Sequence, residues 1–544
     1  MKKGHLFLLS LLSGLLFVCS WYPYGFPFLI FFAFIPILFI SDFLLQKKSK
    51  LAFGQMVLYA LPALLIWNAG TTWWIWNSTP EGAVGAIVLN SLFMSLFLGL
   101  WHLCRAQKIS EPFSAITLIA FWMSWEYLHL HWDLTWPWLN LGNVFASYPS
   151  CVQWYEFTGT FGGTLWILLS NYLLFILIKL INNKKSIKYA VSGVLLLIAV
   201  PLTCSLIRYA TFQPEQSDFK VEAVIVQPNT DAPDEEYSMN NAEHFQRIMG
   251  AAKTKASSST NLIIAPESAL PHNIREQLIL DKSYDIQFLS YFPFAIMDSL
   301  TARYPNLNLI LGTSTSQDFN TKISSTCQEY GEGKYREFYN TAISYHNMQV
   351  TGIYHKSRLV PGVEKMPFPK LFGFMEEWII KLGGSNSSLG VDSIQRAFTL
   401  HLNGDSCKIG APVCYESIYG ELFGNFVKDG AQMMCVITND DWWGNTPGHR
   451  QHFMMSRLRA VESRRMVLRA ANTGISGVIN ERGDVVQKTA FKTRTALKQI
   501  VTPQNQLTFY VKHGDWLAKI ALILAGLSLL YALYRKVVLW KKKR

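Results

Sequence analysis

Apolar residues follow two different rhythms along the chain. Up to about residue 210 they form continuous runs at 5–20, 26–46, 52–72, 84–104, 112–130, 161–181 and 189–208, and one further run covers 515–534. A helix crosses the hydrocarbon core of a bilayer with about 17 to 25 such residues, so these runs predict membrane spans. The first is short, but no small-residue cleavage site follows it. Trp21, Tyr22 and Tyr24 come next and suit an interfacial belt. Between 218 and 510 the runs shorten to strand length, at 221–227, 261–265, 307–314, 408–413 and 433–439. Alternation predicts hairpins at 338–356 and at 477–486, the second turning at Arg482-Gly483, and helical spacing covers 449–471. Three parts are expected: a transmembrane domain of about seven helices at 1–210, an α/β domain at 218–510, and a C-terminal transmembrane helix with a basic tail at 515–544.

Charge gives this pattern a direction. Lys2 and Lys3, Lys47, Lys48 and Lys50, Arg105 and Lys108, and Lys179, Lys184, Lys185 and Lys188 flank the spans on one side. The loops on the other side, about 21–25, 73–83 and 131–160, contain no Lys or Arg. Positive charge stays cytoplasmic, which places both termini in the cytoplasm and the 218–510 domain outside it. The composition agrees with a membrane protein: 50% of the 544 residues are hydrophobic and 16% charged, against about 25% charged in soluble chains. A net charge of +12 raises nucleic acid as a partner, but no nucleic-acid-binding pattern is present. The eight cysteines show no CxxC spacing, so neither a zinc site nor a disulfide framework is expected. Neither metal nor cofactor is expected, since His449 and His452 have no companion ligands and read as surface or core histidines opening a helix. Glu126 and Asp133, near the outer end of the fifth span, read equally as functional or as solvated carboxylates.

Three polar residues each follow directly on a strand or hairpin: Glu267 in NLIIAPES, Lys356 in YHKSRLVP and Cys414 in KIGAPVCYES. Strand ends are a usual place for reacting groups in α/β folds. A thiol nucleophile needs a base and a nearby positive charge, which a carboxylate and an ammonium supply. Taken singly, each has a plainer reading: a core cysteine, a solvated lysine, a helix-capping glutamate. Spacing alone does not assemble them.

The runs APES, YHKSRLVP, PVCYES and TNDDWWG resemble the nitrilase superfamily of carbon–nitrogen hydrolases. The spans, together with IVQPN at 225–229, WPWLNLG at 136–142 and the stretch 451–479, narrow the resemblance to the apolipoprotein N-acyltransferase family within it. The resemblance implies a bundle of about eight transmembrane helices joined to an extracytoplasmic nitrilase-like αββα sandwich, in the inner membrane of a bacterium with the domain in the periplasm. It implies Glu267 as general base, Lys356 as oxyanion stabiliser and Cys414 as nucleophile, with Glu364, Tyr415 and Glu416 in support. The implied reaction moves an acyl chain from a phospholipid, such as phosphatidylethanolamine, through a Cys414 thioester to the α-amine of a diacylglyceryl-cysteine at the N-terminus of an apolipoprotein. The sequence departs from the family at LVPGVEK, where L-V-P-F-G-E is usual, and in showing no evident counterpart to the tryptophan that usually follows the Q-x-N strand motif, with Tyr237 near its place. The alternatives are a membrane-tethered amidase acting on a small amide, and a transporter with an outer binding module. For lipid access the sequence offers Phe368, Phe372, Phe374 and Trp378 in the apolar stretch 366–384, Trp442 and Trp443, and a second stretch at 288–297. Packing into the domain core is the competing expectation for both stretches.

Overall fold

The computed structural model describes residues 3–47, 51–230, 235, 238–285, 287, 291–368, 388–402 and 404–541. The chain divides into two units, Met1–Thr211 with His513–Arg544, and Phe212–Lys512.

In the first unit, seven helices among the described residues are long and apolar enough to cross a membrane: Lys3–Ser20, Pro27–Gln46, Ala52–Asn77, Pro80–Arg105, Thr160–Asn182, Lys188–Thr211 and Trp516–Val538. The run predicted at 112–130 is also helical, Glu111–His129, but falls below that apolar threshold. Its Ser114, Thr117, Ser124, Glu126 and His129 are all buried, so this helix takes its polar groups into the bundle interior rather than toward lipid. There Glu126 is fully enclosed. It accepts hydrogen bonds from Trp122 Nε1 (3.0 Å), the Leu141 backbone N–H (2.7 Å) and Thr164 Oγ1 (2.7 Å). The carboxylate thus anchors the irregular, buried WPWLNLG segment, whose backbone needs partners inside an apolar surrounding. Of the two readings the sequence left for Glu126, solvation is therefore wrong. Elsewhere in the bundle, Asp42, Arg105, Glu111 and Lys179 close a ring of ion pairs joining four helices, with N–O distances of 2.6 to 3.5 Å.

The second unit is built on two sheets. Its strands are β1 (Val221–Gln227), β2 (Leu262–Ile264), β3 (Leu270–Arg275), β4 (Asn308–Phe319), β5 (Gln328–Gly331), β6 (Lys334–His346), β7 (Gln349–His355), β8 (Phe398–Leu402), β9 (Asp405–Gly410), β10 (Met433–Thr438), β11 (Val467–Ala471), β12 (Gly477–Ile479), β13 (Val485–Lys488) and β14 (Thr495–Val501). One sheet runs β14-β1-β2-β4-β6-β5, with β3 on β4 and β7 on β6, and the other runs β13-β12-β11-β10-β9-β8. The central strands β1, β2 and β4 pair in parallel, as do β9, β10 and β11. Their residues of both parities are buried, the signature of sheets covered on both faces. Helices Asn241–Ala252 and Phe292–Arg303 pack Phe245, Ile248, Phe294 and Met297 against Val224, Val226, Leu309 and Ile343. β14 returns to pair antiparallel with β1, Val221 opposite Val501, so the last strand of the unit closes on its first.

Two sequence expectations change here. The helix expected over 449–471 ends at Ser463, where Arg464 turns left-handed (φ 51°), and 467–471 is strand β11. Its apolar run VLRAA is buried between β10 and β12, so sheet pairing overrides the helical spacing. The lipid-facing reading of 288–297 also fails for its described part, because Phe294 and Met297 are fully buried in the core.

Candidate active site

Glu267 sits on the turn after β2, Lys356 is the first residue after β7, and Cys414 follows β9. The turn holding Glu267 docks against β4 because position 312 is glycine: a Cβ there would meet the Glu267 carbonyl oxygen at 2.1 Å. Lys356 Nζ lies 3.1 Å from Glu267 Oε1 and 2.9 Å from Glu364 Oε1, with its side chain almost wholly buried. Burial opposes a charged amine. The two facing carboxylates outweigh it and hold the Lys356 pKa well above its ordinary value. The ammonium is therefore a fixed charge rather than a proton donor.

Asn340, on β6, was not singled out from the sequence. Its Nδ2 donates to both Glu267 Oε1 (2.7 Å) and Glu364 Oε1 (2.9 Å), and its carbonyl accepts from the Lys356 backbone N–H at 2.8 Å. A register shift between Ser344 and Tyr345 brings Asn340 opposite Lys356, which the spacing of the predicted hairpin does not show. Glu267 Oε2 accepts from the Asn439 backbone N–H at 3.0 Å, which ties the end of β10 to the same carboxylate.

Cys414 begins the single-turn helix Cys414–Ile418 with a left-handed backbone, φ 49°. A non-glycine residue held there costs on the order of 1–3 kcal/mol and persists only where its surroundings enforce it. Burial pushes the thiol pKa up, and the Glu267 carboxylate adds to the effect. In the resting site this thiol is protonated, so it needs a base to react. Cys407 and Cys435 are also buried, and all eight cysteines are free thiols.

Glu416 is fully buried. Its Oε1 accepts from Tyr354 Oη (2.6 Å), Ser357 N–H (2.6 Å), Ser357 Oγ (2.7 Å) and Arg358 N–H (3.3 Å), and its Oε2 from Val413 N–H (2.8 Å). One carboxylate thereby clamps the residues after Lys356 to the residue before Cys414. Tyr415 is buried edge-on to Tyr419, with centroids 5.4 Å apart. Beside Lys356, His355 bridges Glu276 (2.8 Å) and Asp392 (3.0 Å). Burial opposes its imidazolium, but the two carboxylates raise its pKa from 6.5 to about 9.

Of the lipid-access residues, Phe372, Phe374 and Trp378 lie outside the described residues. Phe368 is half-buried in a left-handed turn, φ 46°. Trp442 is 40% exposed, whereas Trp443 packs edge-on against His452 at 5.7 Å. His449 and His452 are buried, as core histidines. Among the described residues no group of three potential ligands is placed to hold a metal ion.

Two sheets carry a glutamate, a lysine and a cysteine just beyond the ends of β2, β7 and β9, and the fold they share is that of a known enzyme class. Residues 222–506, more than half of the chain, match the family model described as carbon–nitrogen hydrolase, and the chain belongs to that family. Residues 13–173 match the model described as the apolipoprotein N-acyltransferase N-terminal domain. Curated relatives extend the match over nearly all of the chain. The apolipoprotein N-acyltransferase of Chlorobaculum tepidum is 28% identical over 541 residues, covering 97% of each chain. That of Thermotoga maritima is 26% identical over 534 residues (96% of this chain, 92% of the relative), and that of Aquifex aeolicus 27% over 495 residues (90% and 97%).

Proposed function

We propose that this membrane enzyme N-acylates lipoproteins, with Cys414 carrying the acyl chain between donor and acceptor. The observation that carries the reading is the Lys356 ammonium held between Glu267 and Glu364, with both Lys356 and Glu267 close enough to act on the Cys414 thiol through their charge, in a chain that also supplies its own bundle of apolar helices. Both substrates are anchored in a bilayer, so an enzyme with its own spans meets them where they reside.

The donor is a phospholipid of the phosphatidylethanolamine type. Glu267 takes the Cys414 proton as the sulfur attacks the ester carbonyl, and the Lys356 ammonium faces the oxyanion. The carbon–oxygen bond to glycerol breaks, the leaving oxygen takes the proton back from Glu267, and a lysophospholipid departs. The α-amine of the diacylglyceryl-cysteine then attacks the thioester and gives its proton to Glu267. The carbon–sulfur bond breaks and the proton returns to the thiol. Glu364 keeps the ammonium charged, and Asn340 holds both carboxylates toward it. The basic loops support an orientation with both termini cytoplasmic and the Phe212–Lys512 unit in the periplasm.

The test supplies purified protein with phospholipid labelled in its acyl chain, with and without a peptide bearing an N-terminal diacylglyceryl-cysteine. Label moves to the peptide amine and stays on the protein when the peptide is withheld. Release of free fatty acid to water at the same rate with or without peptide contradicts the reading and favours a hydrolase.

A further inference from the structure

Beneath Cys414 lies a buried polar network that the transfer chemistry above does not use. The Cys414 carbonyl oxygen accepts from Ser417 Oγ at 2.7 Å and lies 3.2 Å from His452 Nε2, while Ser417 Oγ and His452 Nε2 are 2.9 Å apart. The other ring nitrogen, Nδ1, faces Asp440 Oδ1 at 2.9 Å and Arg469 Nη2 at 3.0 Å. Asp440 is fixed in turn by Thr438 Oγ1 (2.9 Å) and by Arg469 Nη2 (2.7 Å). All of these side chains are buried, and Arg469 is fully enclosed. An ion pair placed this deep costs desolvation and is a poor route to stability.

The network touches the nucleophile at two places: its backbone carbonyl, at the one residue of the Val413–Ile418 turn whose φ is left-handed, and its thiol, to which Thr438 hydrogen-bonds. It also reaches the base: Asp440 follows Asn439, whose backbone N–H binds Glu267 Oε2 at 3.0 Å. One turn after β10 therefore steadies the carboxylate with one residue and, through His452, the thiol with the next. We propose that His452 is a positioning residue for Cys414. Its Nε2–H donates to the Cys414 carbonyl so that the left-handed turn keeps the thiol aligned with Glu267, and Arg469, itself held by Asp440, donates to Nδ1 and so selects that tautomer. Burial and the Arg469 charge lower the His452 pKa, so the ring is neutral at ordinary pH and takes no proton from the thiol. This inference rests on Cys414 being the reacting group.

The experiment compares His452→Gln and His452→Asn in the full-length protein. The side-chain amide of Gln reaches the place of Nε2, and that of Asn only the place of Nδ1. Three quantities are read: the melting temperature, the single-turnover rate of acyl-thioester formation from phospholipid, and the rate of Cys414 alkylation by iodoacetamide. A misplacement of about 1 Å costs up to roughly 100-fold in rate, so the Asn variant is expected to lose about 10- to 100-fold in both reactions of the thiol, with Gln restoring most of it at a similar melting temperature. Equal rates in the two variants, or losses that follow melting temperature alone, overturn the proposal. If wild type forms no thioester but its alkylation still falls with Asn and recovers with Gln, the positioning role stands and the acyl-transfer reading fails.

Discussion

Glu364 and Glu416 are two carboxylates beside the same loop after β7, and the resemblance read from the sequence treats both as supporting groups. Their surroundings differ in kind. Glu364 gives one oxygen to the Lys356 ammonium and to Asn340, and the other to the Val360 backbone N–H at 2.8 Å. The partners of Glu416 among the described residues are all neutral: three backbone N–H groups and two hydroxyls. Burial raises the Glu416 pKa, and those donors work against the rise. A carboxylate that shares an ammonium sets the charge of a pocket. One that gathers local backbone donors sets the path of the chain. The same residue type thus faces a buried charge on one side of the loop and gathers backbone donors on the other.

Losses of activity on substitution are expected to be graded. Cys414→Ala removes transfer altogether while the protein stays folded and inserted, and Cys414→Ser leaves little activity because a hydroxyl is far harder to deprotonate. Substitution of Cys407 or Cys435, buried thiols that read as structural, does not abolish the chemistry. Normal turnover in Cys414→Ala breaks the assignment. Lys356→Met and Glu267→Gln come next. Losing one oxyanion-stabilising group costs about 100- to 1000-fold, and single-turnover acylation at the wild-type rate in either variant contradicts their roles.

Glu364 and Glu416 separate on stability. Glu416→Ala strands several buried donors, each costing about 1–3 kcal/mol, so its melting temperature falls together with its activity. Glu364→Gln keeps its shape and its bond from Val360, and it loses rate with little change in melting. If the two variants melt alike, the distinction between pocket and socket is wrong.

The smallest effect belongs to the His355 clasp. Because the His355 pKa is raised to about 9, its contribution is complete below the unfolded value and fades as pH rises through about 9. Glu276 and Asp392 are held low; their share is present above ordinary carboxylate values and is lost as pH falls through their lowered ones. His355→Gln should melt a few degrees lower near neutral pH, with the difference vanishing above roughly pH 10. A difference that persists at high pH removes the ionic account.

Much of this was legible in the sequence, for identifiable reasons. Strand ends after apolar runs marked Glu267, Lys356 and Cys414, and the hairpin spacing placed Lys356 at its exit. Asn340 was hidden because a single polar residue inside a long alternating strand looks like an outward-facing one. The strand at 467–471 was hidden because its apolar residues continue the helical spacing of 449–463, and only the left-handed Arg464 separates them. Asp440, His452 and Arg469 lie on three different elements, and sequence periodicity carries no sign that a fold brings them together. Glu126 was ambiguous because a carboxylate near a span's end solvates as readily as it binds, until the buried Leu141 segment supplies its partners.

The acyl-thioester is tested most directly by the mass of the Cys414 peptide after incubation with phospholipid and no acceptor. One added acyl chain on Cys414 is expected, removed by neutral hydroxylamine as a thioester and lost on adding a diacylglyceryl-cysteine peptide. An unmodified Cys414 peptide under conditions where the acceptor becomes acylated, or an acyl chain found on another residue, contradicts it.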